Sequence, residues 1–210
     1  MSETSSVPRD TPKSRRTRAR ILDEAVRVIA GQGYAATTNA AVAEAAGITR
    51  GAMLYHFPTR ECLLEAAIDH IQAQRAALFR DAADSLPPGG DVTEHAIETY
   101  WDLLHRTPFV AFAELEAASR TDALVRDLLA PSLAEFDRAQ IGDHFLKMLH
   151  AGAGPRFQAS RDLARFMLEG MARAQISYDK DERVERLLSV IKRATHMLNR
   201  KGGVTDLWPE

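Results

Sequence analysis

The side chains best suited to chemistry lie close together, between Thr49 and Arg60. Thr49, Arg50, Tyr55, His56 and Arg60 all carry hydrogen-bond donors, and Gly51 among them leaves room for a close neighbour. None of them pairs with a base and an orienting group, as a catalytic nucleophile must. The set suits a different task, gripping the phosphates and base edges of a nucleic acid. Thr49 and Arg50 open a helix, where backbone N–H groups and the helix dipole favour an anion. The Arg50 guanidinium can donate to a phosphate or to guanine O6 and N7. Tyr55 and His56 can donate to phosphate oxygens, and so can Arg60 at the start of the next helix.

Such donors need short, rigid helices to present them. Thr38 opens an Ala-rich helix as its N-cap, Gly47 ends it, and Thr49 caps the next, which runs to about Phe57. The turn Ala46-Gly47-Ile48-Thr49 needs a residue that accepts positive φ, and glycine does so without strain. Ala43 is small enough for the second helix to cross close above the first, with Val42, Ile48 and Leu54 expected to join the pair. The spacing predicts a helix-turn-helix whose second helix enters the major groove of DNA. Pro58 stops that helix, and Thr59 caps a long one from Arg60 to about Ser85. Upstream, Ile21, Leu22, Ala25, Val26 and Ile29 recur at helical spacing and predict a helix from about Thr17 to Ala30.

Charge is distributed to match. The formal net charge is only −2, but Arg9, Lys13, Arg15, Arg16, Arg18 and Arg20 face a single acid, Asp10, in the same stretch. Beyond Glu61 acids outnumber bases. A basic head on an acidic body is expected when one end meets phosphate. Residues 1–14, polar and with Pro8 and Pro12, are expected to be a disordered basic arm. A helix-turn-helix domain over 15–75 and a second helical domain over 76–210 follow from the punctuation.

The second half reads as helix throughout, since no period-2 alternation extends far enough for a strand. Asp91 with Glu94 resembles a capping box, Thr107-Pro108 starts a helix, and Asp122–Leu129 reads as a short one. Pro131 is expected to start another, to about Leu149. Two final helices carry apolar stripes: Leu163, Phe166, Met167, Gly170, Met171 and Ala174, then Val184, Leu187, Leu188, Ile191, Ala194 and Leu198. Tyr100, Trp101, Phe109 and Phe112 are candidate linings of a ligand pocket, as are Phe136, His144, Phe145 and Met148; plain core is the other role open to each.

Composition excludes several classes. The 210 residues are 45% hydrophobic and 27% charged, as a globular chain is. No apolar run approaches the ~18 residues of a membrane span, and no secretory leader pattern is present. A lone cysteine, Cys62, fits a reducing cytosol, so a cytoplasmic location is expected. The seven histidines show no metal-ligand spacing, and no metal is expected. An all-α enzyme with a basic appendage would need a catalytic constellation, but there is no P-loop, no Gly-x-Ser-x-Gly and no dinucleotide fingerprint. No cofactor is expected.

The string Thr38, Val42-Ala43, Ala46-Gly47-Ile48-Thr49, Gly51, Leu54-Tyr55-His56-Phe57 and Leu63-Leu64 closely resembles the DNA-binding domain of the tetracycline-repressor (TetR) family. The resemblance spans about Arg15 to Ile71. It implies an all-α fold, with three N-terminal helices on a long linking helix, followed by a ligand-binding and dimerisation domain. It places Thr38, Tyr55, His56 and Arg60 at operator phosphates, and Arg50 and Met53 at bases or backbone. It also implies that the last two helices form a dimer interface, here Phe166, Met167, Gly170, Met171, Leu187, Leu188 and Ile191. Asn39-Ala40-Ala41 departs from the family, which commonly has a charged side chain there, so one phosphate contact is missing. The implied function is a homodimeric repressor that binds a palindromic operator as double-stranded DNA and is released by a small apolar effector. A DNA-binding dimer without an inducer, or an activator, are the alternatives.

Overall fold

The first helix begins earlier than its apolar repeat suggests. Thr11 accepts the Ser14 amide on its hydroxyl at 3.2 Å, and Pro12 takes the first helical position, where an N–H would have no partner. Helix α1 therefore runs Pro12–Gln32, and the expected disordered arm is helical from Pro12 onward. The computed structural model describes residues 11–85, 87–142, 155–174 and 179–199, without the side chains of 135–142 and 155–156. Among these, every regular element is a helix.

The two short helices form as the caps dictate. Thr38 accepts from the Ala41 amide at 3.1 Å and starts α2 (Asn39–Ala45). Thr49 accepts from the Ala52 amide at 3.2 Å and starts α3 (Arg50–His56). Between them Gly47 stands at φ +60°, its N–H on Glu44 O and the Ile48 N–H on Ala43 O, both at 3.0 Å. These two bonds are a Schellman closure, which satisfies the last carbonyls of α2 and aims the chain into α3. Helix α2 packs on both α1 and α3.

The core beneath them differs from expectation at one position. Ile21, Leu22, Ala25, Val26 and Ile29 of α1, with Val42 and Ala43 of α2, are buried as read from the sequence. From α3 the buried side chains are Met53, with Phe57 just beyond the helix end, while Leu54 is exposed. Met53 and Phe57 are four apart and share a face, and Leu54 lies about 100° around it.

The long helix α4 spans Arg60–Asp84, capped by Thr59, whose hydroxyl accepts from the Cys62 amide at 3.2 Å. Beyond it lie α5 (Val92–Leu103), α6 (Thr107–Ser119), α7 (Ala123–Gly142), α8 (Pro155–Arg173) and α9 (Lys180–Asn199). Helix α7 runs through Pro131 without a break, correcting the two separate helices expected there. Proline removes one backbone bond from such a helix, and buried Val125 and Leu129 anchor the turns before it.

The chain divides into two compact units. One holds the residues up to Ala73 together with Ala111–Ser132; the other holds Gln74–Val110 and Leu133–Glu210. The second half of α6 and the start of α7 thus group with α1, α2 and α3, a grouping that the expected boundary at 75 did not foresee. In the second unit α5, α8 and α9 pack together around Ile97, Ala164, Leu168 and Ile191, flanked by Tyr100, Trp101, Leu104, Met171 and Leu188. A Lys192–Glu98 ion pair joins α9 to α5.

Candidate nucleic-acid interface

Burial divides α3 into an anchoring face and an outward one. Met53 has no exposed surface, so its side chain serves the core and is withdrawn as a contact to bases. Arg50, Gly51, Leu54 and Tyr55 are exposed, Tyr55 by 58%, and His56 is half-buried. The Tyr55 and His56 rings meet edge to face at 5.2 Å, which limits the rotamers of both donors. Thr38 and Thr49 are exposed as well; capping uses a lone pair of each hydroxyl and leaves its proton for an acceptor. Burial first, and the Arg18 charge second, lower the His56 pKa below its usual value.

Arg60 is held by partners within the chain. Its Nε donates to Thr37 O at 2.8 Å and its Nη2 to Tyr34 O at 2.9 Å, with the guanidinium 4.4 Å from the centre of the Tyr34 ring. Those donors brace the loop before α2, a positioning role for Arg60 that the sequence did not suggest. Asn39 has a similar part. Its Nδ2 donates to Phe57 O at 2.8 Å, tying the start of α2 to the end of α3. Neither bond is legible in sequence, because each joins residues 18 to 26 positions apart.

The basic residues form part of the same surface. Lys13, Arg15, Arg16, Arg18 and Arg20 are all exposed on the first turns of α1. The Arg18 guanidinium stands 5.1 Å from the Phe57 ring, which brings this stretch beside the end of α3. Arg9 lies outside the described residues.

The expected ligand residues do not all gather. Tyr100 and Phe109 meet at 6.3 Å and both contact Phe79, Tyr100 by stacking at 5.7 Å. Trp101 packs on the core of the second unit, while Phe112 belongs to the first. His144, Phe145, Met148 and the side chain of Phe136 lie outside the described residues. Phe79, and Arg75, a buried cation 5.0 Å from the Phe109 ring, join this cluster without having been candidates in the sequence. Tyr100 donates to Glu169 Oε1 at 2.7 Å; burial above all, with that carboxylate beside it, raises the phenol pKa. Among the described residues no three His, Cys, Asp or Glu converge as metal ligands.

The seven expected interface residues split by burial. Phe166, Met167 and Gly170 are exposed and Leu187 is half-buried. Met171 and Leu188 are half-buried and pack against the core, and Ile191 is 1% exposed, so Ile191 is corrected to an internal role. Leu163, the first residue of the α8 stripe, is exposed, as are Val190 and Met197 on α9, which the sequence stripe did not include.

Residues 21–67 match the sequence family described as "Bacterial regulatory proteins, tetR family". A probable HTH-type transcriptional regulator, ArpR of Pseudomonas putida, is 33% identical over 100 residues, 47% of this chain and 48% of that one. The HTH-type transcriptional regulator CymR of Pseudomonas putida is 28% identical over 133 residues, 63% of this chain and 65% of its own. The first of these matches thus spans about half the relative's length. A TetR-family structure from Streptomyces coelicolor A3 aligns with a TM-score of 0.60 at 22% identity, covering 85% of this chain and 97% of that chain. The multidrug binding protein EbrR, complexed with imidazole, aligns with a TM-score of 0.60 at 22% identity, over 90% and 98%. These likenesses show the all-α fold with its N-terminal helix-turn-helix. With caps, turn and core in place as that fold requires, residues 21–67 form the matched domain of the tetR family of bacterial regulatory proteins.

Proposed function

We propose that the chain is a transcriptional repressor that binds a palindromic operator as a homodimer and is released by a small, largely apolar ligand. The observation that carries this reading is the division of α3. Met53 and Phe57 fix one face in the core, while Arg50, Gly51 and Tyr55 face outward with Thr38, Thr49 and His56 at the helix ends. The exposed bases of α1 supply sequence-independent attraction to phosphate. A second copy docks on the outward apolar side chains of α8 and α9. Two-fold symmetry then sets the recognition helices about 34–36 Å apart, one turn of DNA.

The ligand class draws on EbrR, whose structures carry imidazole, malachite green or proflavin. The aromatic side chains of α4, α5 and α6 suit the same kind of molecule.

Selection of duplexes from a random-sequence library tests the DNA reading. A recovered inverted repeat is the expected result, and recovery of no common sequence defeats it. Proflavin and malachite green then test release, by a rise in melting temperature and dissociation of the selected duplex.

A further inference from the structure

A set of contacts in the first unit joins residues far apart in the chain. Asp122 uses its two carboxylate oxygens for two tasks. Oδ1 accepts from the Val125 amide at 3.2 Å and so caps α7, while Oδ2 accepts the Tyr34 hydroxyl at 2.9 Å. The Tyr34 ring carries the Arg60 guanidinium, which holds the carbonyls of Tyr34 and Thr37. Thr37 is fully buried, its hydroxyl on Gly33 O at 3.1 Å, and the next residue caps α2. The backbone that launches the helix-turn-helix is thus set by a carboxylate on the α6–α7 corner. That corner belongs to segment 111–132, whose two ends continue into the second unit. A second bond, Gln72 Nε2 to Ser132 Oγ at 2.8 Å, fastens the far end of the segment to α4.

We propose that Asp122 and Tyr34 form a relay through which the position of the α6–α7 corner controls the geometry of α2 and α3, and with it DNA affinity. Asp122 and Tyr34 are positioning residues; neither touches DNA. The relay rests on the repressor reading above and adds its regulation: movement of segment 111–132 breaks the Tyr34–Asp122 bond and loosens the start of α2.

The variants are Tyr34→Phe, which keeps the ring beneath Arg60, and Asp122→Ser, which keeps a helix cap but is too short to reach Tyr34. Each is expected to weaken binding of the selected duplex about three- to tenfold, the effect of one hydrogen bond. The double variant is expected to be no weaker than the weaker single one, because both remove the same bond. The salt dependence of binding stays unchanged, since no phosphate contact is lost. Hydrogen exchange is expected to quicken at residues 34–42 in both variants, with or without DNA. Additive losses, or wild-type exchange in folded variants, overturn the relay. Failure of the wild-type chain to select any duplex while exchange still quickens defeats the repressor reading and leaves the mechanical link standing.

Discussion

Burial first, and the neighbouring Arg18 charge second, shift the His56 imidazole toward its neutral form. In the proposed complex it offers a phosphate a neutral hydrogen bond, whereas Arg50 offers a full charge. Arg50→Ala is expected to flatten the plot of log affinity against log salt by about one unit, while His56→Ala weakens binding with little change of slope. A lowered folded-state pKa means that the unfolded chain takes up its proton first. Stability attributable to His56 is thus complete above its unfolded value of about 6.5 and declines as pH falls through the lowered folded value. Urea titrations across that range are expected to show a smaller acid-side loss in His56→Gln than in the wild type. Asp122 titrates in a different range. The Tyr34 hydroxyl first, and the Val125 amide second, lower its pKa. Its contribution is present above about pH 4 and is lost as pH falls through the lowered folded value. Acidification thus opens the Tyr34 contact only well below physiological pH.

The turn between α2 and α3 was legible because its signals are local: Thr38, Gly47 and Thr49 each act within four residues of themselves. Gly47→Ala is expected to lose about 1 kcal/mol. The added methyl meets no atom within 4 Å, so only the positive φ resists it. The phase of α3 was not legible. Met53 and Leu54 are adjacent and both apolar, and only the packing of α1 and α2 decides which turns inward. Met53→Ala is expected to cost about 2–5 kcal/mol in unfolding free energy, the range for truncating a buried side chain. Leu54→Ala, at an exposed position, is expected to cost far less. Pro12 opening α1 and Pro131 inside α7 escaped the reading for the opposite reason: each is a breaker by type and a helix member by position. The Tyr34–Asp122 bond spans 88 residues, beyond any pattern of spacing.

At the scale of the molecule, the fold class and the place of the helix-turn-helix within residues 21–67 followed from cap and turn chemistry, while the affiliation of segment 111–132 did not. That segment is helical and apolar like its flanks, and nothing in its composition marks which core it joins. The split of α8 and α9 into buried and exposed apolar residues was also hidden, because one broad apolar stripe does not show where it divides. Phe166→Glu is expected to give a folded monomer by sedimentation, since Phe166 is 62% exposed in the single chain. Ile191→Glu instead buries an unpaired charge and is expected to abolish cooperative melting. A dimer that survives Phe166→Glu would place the interface elsewhere. Leu163, Phe166, Met167, Val190 and Met197 leave the isolated chain with an uncovered oily strip. If two copies cover it as proposed, resistance to heat becomes a collective property: each tenfold dilution removes about 1.4 kcal/mol per mole of assembled pairs, and melting shifts to lower temperature as copies become scarce.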